Sequence, residues 1–395
     1  MMSCSQDDVT FEATPDKGVA ISFACELSES EDTDGTNDGM SGTRAVIGHS
    51  GAMNSEDLYY TGFGVFASQN SGGLPDMMYN QQVTFTFVGD LTNPLKGFWS
   101  YQPLKYWPVQ SSLSNFSVCA YAPYTEEPPL IASGGSPEDN DNTGIVGISP
   151  NTEEPYLWYR PSNKPENMVD LLWCWDQPRA VPAATSTSAA GTLNMTMRHA
   201  LARLEINMKL AAAPASGTKV LIEKIVLTGA MAKEGRLHLD EQTTEGEGSS
   251  KKYYPVWSNQ TLEASTITCT SKEGDASSYG IIDPSIRYIE GLPYEWQPDG
   301  LKDGSADDLA TTEVDESLRN VLYSVDRKTY VYLIPQETLS LTVKVKYHKK
   351  TAGGDTSGWK TTTASNITVG CPLHGDDHPL HGNTTYTLNL TLSDI

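Results

Sequence analysis

The sequence predicts an all-β protein of two domains, on three observations. The chain has 395 residues, enough for two hydrophobic cores of ordinary size. Its 33 Gly and 23 Pro interrupt short apolar runs, a punctuation that suits strands and turns better than long helices. Most of those runs alternate apolar and polar residues, the period-two pattern of a strand with one face buried.

Taken in order, Val19, Ile21, Phe23, Cys25 and Leu27 alternate with Ala20, Ser22, Ala24 and Glu26, so a half-buried strand that needs a partner sheet is expected. Residues 58–67 read as the next strand, then residues 83–87, 97–101 and 116–123, the last closed by Pro123. Residues 125–155 are Pro, Gly, Asp and Asn-rich and read as a long loop, and residues 167–175 as the last strand of the first domain. Residues 180–191, rich in Ala, Ser and Thr, read as a linker. Beyond it, Leu204, Ile206, Met208 and Leu210 alternate with charged and polar residues, a sheet with one wet face. Residues 193–197, 220–227, 266–270, 330–334 and 339–347 supply further strands, and Tyr386, Leu388, Leu390 and Leu392 the last one. The expected division is 1–44 for an N-terminal segment, 45–185 for one sandwich and 186–395 for the other.

Residues 1–180 hold 7 Lys+Arg against 24 Asp+Glu, and the remainder 20 against 26, together a net charge of −23. Phosphate backbones would repel such a chain, so nucleic acid is not an expected partner. Mean hydropathy is −0.39 and no apolar run approaches the length of a spanning helix, so membrane contact is expected through a lipid if at all.

The first 45 residues read as anchor, strand, tether and cutting point. Cys4 follows the small residue Ser3, where a bacterial lipoprotein carries its lipidated cysteine, with the export signal removed or left out; the other reading is an ordinary cytosolic thiol. Residues 28–43 are almost free of apolar side chains and cannot repay their ordering entropy. They end at Arg44 and Ala45, and Arg44 is the first basic residue after Lys17, a bond open to an arginine-specific protease. The remaining cysteines, 25, 119, 174, 269 and 371, are odd in number, widely spaced and without a CxxC, which argues against a disulfide framework or a zinc site.

The usual catalytic signatures fail: no G-x-S-x-G, P-loop, H-E-x-x-H, or G-x-G-x-x-G after a strand occurs, so no enzyme and no cofactor is expected. His374, Asp376, Asp377, His378 and His381 are metal-ligand types, but Gly375 and Pro379 prevent a helix that would aim them together, and a polar loop without metal is the expectation. Trp173 and Trp175 share one strand face and, with the aromatic run 156–159, offer a sugar platform if exposed and a core if not. His199 reads as a buried or capping histidine.

These segments together resemble the fimbrillin family, the lipoprotein-derived pilins of Bacteroidetes-type bacteria. The resemblance rests on Trp99-Ser100-Tyr101 with Tyr106-Trp107-Pro108, residues 116–123, Met168-Val169-Asp170-Leu171-Leu172, residues 198–204, Leu333-Ile334-Pro335-Gln336 and Tyr386-Thr387-Leu388-Asn389-Leu390. It implies two transthyretin-like Greek-key β-sandwiches, export as an outer-membrane lipoprotein anchored at Cys4, and removal of the strand bearing Val19, Ile21, Phe23, Cys25 and Leu27 by cleavage after Arg44. It further implies assembly with other pilin subunits into a surface fimbrium by strand exchange, and contact with a host or bacterial receptor. The candidate donor is the strand bearing Tyr386, Leu388, Leu390 and Leu392, whose apolar period matches. A surface glycan-binding lipoprotein is the alternative, and it needs no cleavable strand.

Overall fold

A computed structural model describes residues 19–28, 53, 55–69, 74–88, 97–107, 116–176, 191–210, 219–248, 251–270, 286–290, 331–337, 339–351, 354–365 and 380–392. In chain order the strands are β1 (Ser22–Leu27), β2 (Phe63–Gln69), β3 (Leu74–Phe87), β4 (Gly97–Ser100), β5 (Phe116–Ala122), β6 (Gly144–Ile148), β7 (Tyr156–Arg160), β8 (Leu172–Asp176) and β9 (Thr192–His199). They continue with β10 (Ala202–Leu210), β11 (Lys219–Glu245), β12 (Lys252–Thr270), β13 (Ile286–Glu290), β14 (Val331–Leu333), β15 (Ser340–Thr351), β16 (Gly354–Ser365) and β17 (Thr384–Leu392). One short helix, α1 (Ser55–Thr61), precedes β2. The described chain is therefore all-β, as the alternating runs predict.

Three sheets carry these strands. The first has seven strands in the order β1-β9-β8-β5-β2-β3-β4; the second has β13, β14 and β17 on β10; the third runs β16-β15-β11-β7-β6, with β12 also on β11. The middle of the first sheet, at β2 and β5, is buried on both faces. Phe63, Val65 and Ala67 of β2 join one core with Ile21, Phe23, Tyr101, Trp107 and Met195, whereas Phe66 joins another with Tyr121, Leu157, Leu227 and Val343. Odd and even positions of a strand point to opposite sides, which is how β2 serves both cores.

Apart from strands the sequence reading did not expect, β13 and β16 among them, reading and structure part in three places. Residues 58–61 are helical rather than extended, because α1 ends at Gly62, whose N–H donates to Leu58 C=O at 2.9 Å. Gly62 has φ 65°, and a Cβ there would meet Val83 O at 2.5 Å. The stretch 125–155 holds β6 and a bridge between Leu130 and Ile148, so it is not a plain loop. Finally, β9 follows the expected linker yet pairs with β8 and β1, and β6 and β7, from the first half, join β11. Period-two patterning gives strands and their faces but does not say which sheet a strand enters.

Candidate functional site: the seam closed by the first strand

β1 lies at the edge of the seven-stranded sheet, parallel to β9, in the register Ser22↔Thr192, Phe23↔Leu193, Cys25↔Met195 and Leu27↔Met197. Ser28 N–H donates to Met197 C=O at 2.8 Å and continues the ladder. The residues just before β1 bind the segment that follows β4, the far strand of the same sheet: Trp107 N–H donates to Val19 C=O at 2.8 Å, and Ile21 N–H to Lys105 C=O at 2.9 Å. Tyr101 Oη also donates to Ile21 C=O at 3.0 Å. The sheet therefore curls until its two ends meet across residues 19–27.

The side chains of this segment complete the core inside the curl. Ile21 is 1% exposed and Phe23 6%, while Val19, Cys25 and Leu27 are half-buried against the same cluster. The Phe23 ring stands edge-on to Phe63 at 5.9 Å and to Tyr101 at 5.4 Å between centroids. Cys25 carries a free thiol, and burial pushes its ionisation well above the ordinary range, so it packs as a small hydrophobe. Cys119 and Cys174 are buried as well.

Gly191, the residue before β9, permits the close approach. A Cβ there would meet Ala20 O and Val19 Cγ1, each at 2.7 Å, and its carbonyl accepts from Trp107 Nε1 at 3.0 Å. Sequence reasoning passed over Gly191, Lys105, Tyr101 and Trp107 as parts of the site. The aromatic spacing of Trp99-Ser100-Tyr101 and Tyr106-Trp107-Pro108 was their only signal.

The second predicted element, β17, pairs in parallel with β10 of its own chain: Tyr386↔Leu204, Leu388↔Ile206, Leu390↔Met208 and Leu392↔Leu210. Tyr386 is buried, and its hydroxyl accepts from His381 N–H at 2.7 Å. β9 and β10 are separated by Ala200 and Leu201 alone, so β1 and β17 run the same way along consecutive stretches of one backbone. Cys4, Arg44 and Ala45 lie outside the described residues, as do His374, Asp376, Asp377 and His378.

His199 is buried as expected: its Nδ1 is 2.6 Å from Asp170 Oδ2, which also accepts from Met53 N–H at 3.0 Å. The sugar-platform expectation fails on burial. Tyr156, Trp158, Tyr159 and Trp173 are all buried and Trp175 is partly buried against the core, so these rings are core material, the other outcome the sequence left open. Among the described residues no helix is long and apolar enough to cross a membrane.

An all-β chain whose first strand is an edge element seated in a core is the class of protein defined so far. Comparison with known families is more specific: residues 43–395 match the fimbrillin-like family, and the chain belongs to it. Among solved structures it is similar to a fimbrial protein from Bacteroides vulgatus at 17% identity, covering 95% of each chain with a TM-score of 0.46. It is also similar to a candidate cell adhesion protein from Bacteroides uniformis, at 10% identity over 88% of this chain and 98% of that one, TM-score 0.38. A third, a candidate cell adhesion protein from Parabacteroides distasonis, shares 13% identity over 95% of this chain and 89% of that one, TM-score 0.38. A search among curated proteins finds no match.

Proposed function

We propose that the chain is a non-enzymatic fimbrial subunit, of shaft or tip, exported as an outer-membrane lipoprotein anchored at Cys4 and assembled on the cell surface after an arginine-specific protease cuts between Arg44 and Ala45. The observation that carries this reading is the seat of β1. It is an edge strand, joined to the rest by a segment almost free of apolar side chains, and its Phe23, with Ile21 just before it, is buried in the core of the seven-stranded sheet. Cutting after Arg44 frees residues 1–44 from the chain. Their departure leaves the β9 edge unpaired and an apolar groove open, a template for a strand from another subunit.

The candidate occupant of the groove is a neighbour's β17, with Tyr386, Leu388, Leu390 and Leu392 spaced as Ile21, Phe23, Cys25 and Leu27 are. Donation would require β17 to surrender its parallel pairing with β10, so the resting chain holds both strands at home. Expected partners are other fimbrial subunits, the protease, and a receptor contacted by the finished fimbrium. The test is digestion of the full chain with an arginine-specific protease, with N-terminal sequencing and electron microscopy of the product. A large fragment beginning at Ala45 that forms polymers supports the reading; a fragment that stays monomeric at high concentration contradicts it.

A further inference from the structure

Away from the seam, a cluster of ligand-type side chains is built into β11. Its register against β12 passes from His238↔Val256 to Gln242↔Pro255, so Leu239, Asp240 and Glu241 bulge out of the ladder. Leu239 is buried and its N–H donates to Pro155 C=O at 2.9 Å, which pins the bulge and leaves Asp240 and Glu241 beside His238. One ligand atom from each of these three residues lies within 4.8 Å of the other two. His238 Nδ1 stands 3.6 Å from Glu241 Oε1, too far for a hydrogen bond.

Two atoms of this cluster are orphaned. His238 is 6% exposed, and its Nε2 lies 2.7 Å from Ser258 Oγ, yet Nδ1 is sealed from solvent with no hydrogen-bond partner. Asp240 Oδ1 is likewise buried and unpartnered. Buried polar atoms are nearly always satisfied, so two on residues of one such cluster point to a missing ligand.

We propose that His238 through Nδ1, together with the Asp240 and Glu241 carboxylates, binds a divalent cation of the Zn²⁺ class. Donation from Nε2–H to Ser258 leaves the Nδ1 lone pair for the metal, and water fills the open positions. Zinc holds nitrogen and oxygen ligands at about 2.0–2.2 Å, so its ligand atoms stand roughly 3–4 Å apart. The 3.6 Å spacing already fits, and the Glu241 side chain, 56% exposed, has room to adjust around an ion. Calcium is disfavoured, since it takes oxygen ligands in larger number. The bound ion would tie the bulge to β12 through Ser258.

The test uses the full chain stripped with chelator and titrated with ZnCl₂ by calorimetry, with Co²⁺ absorption as the spectral probe. The His374→Ala/His378→Ala variant serves as background, because those residues could bind zinc independently. One Zn²⁺ per chain is expected to remain in that background. Glu241→Gln, at a partly exposed position, should weaken it roughly tenfold or more without moving the metal-free melt, and Asp240→Asn should do the same. Absence of Zn²⁺ binding in the background, or an affinity in both substituted chains unchanged from that of the background, would overturn the proposal.

Discussion

If release of β1 is what permits assembly, Phe23→Ala should let the uncut chain assemble. Phe23 is 6% exposed and packs on Phe63 and Tyr101, so its truncation costs about 3–5 kcal/mol in transfer and cavity terms. Because the substituted residue sits on the strand proposed to leave, the cost should fall on the closed seam and not on the open one. At about 1.4 kcal/mol per tenfold, the open population of the uncut chain rises roughly 10²- to 10⁴-fold. The assay incubates uncut wild type and Phe23→Ala without protease and follows polymer by size exclusion, with melting temperature recorded in parallel. The variant should melt lower and form polymer uncut. Once residues 1–44 have been removed, the two proteins should be identical. A variant that melts like the wild type, or that differs from it after the strand has gone, would refute the reasoning.

Four further outcomes are expected. Trypsin should cut the folded chain first at Arg44, and N-terminal sequencing of the earliest large fragment should begin at Ala45. Gly191→Ala places a methyl 2.7 Å from Ala20 O, so it should lower the melt of the uncut chain and also slow assembly after cleavage, since an incoming strand would follow the same path. Leu388→Asp or Leu390→Asp should abolish polymer after cleavage if β17 is the donor; loss of polymer with an unchanged melt supports donation, and a lowered melt favours its intramolecular role. Asp170→Ala removes the partner of His199 and of Met53 N–H and should cost about 3–5 kcal/mol by chemical denaturation, less than additively with His199→Ala; strict additivity would mean the two are uncoupled.

Strand faces were legible in the sequence because burial imposes a period of two. The alternation from Val19 to Leu27 identified the strand that enters the core, and Tyr386, Leu388, Leu390 and Leu392 fall within β17. Partners were not legible. Nothing in Tyr156-Leu157-Trp158-Tyr159 says that this run pairs with β11, and its continuous aromatic character, which suggested a sugar platform, is what burial on both faces requires. The helix α1 was missed because Leu58, Tyr59 and Tyr60 are as apolar as a strand, and the decisive signal was Gly62 alone. Within the site, Gly191 is invisible to periodicity, since its role is to have no side chain where Ala20 passes.

The most direct measurement is hydrogen exchange at the β9 amides from Leu193 to Met197, in uncut chain, cleaved monomer and polymer. Protection while β1 is seated, its loss when residues 1–44 are released, and its return in the polymer are the predicted sequence. Protection that survives release of the strand, or that stays absent in the polymer, would contradict the claim that one groove holds first the chain's own strand and then a neighbour's.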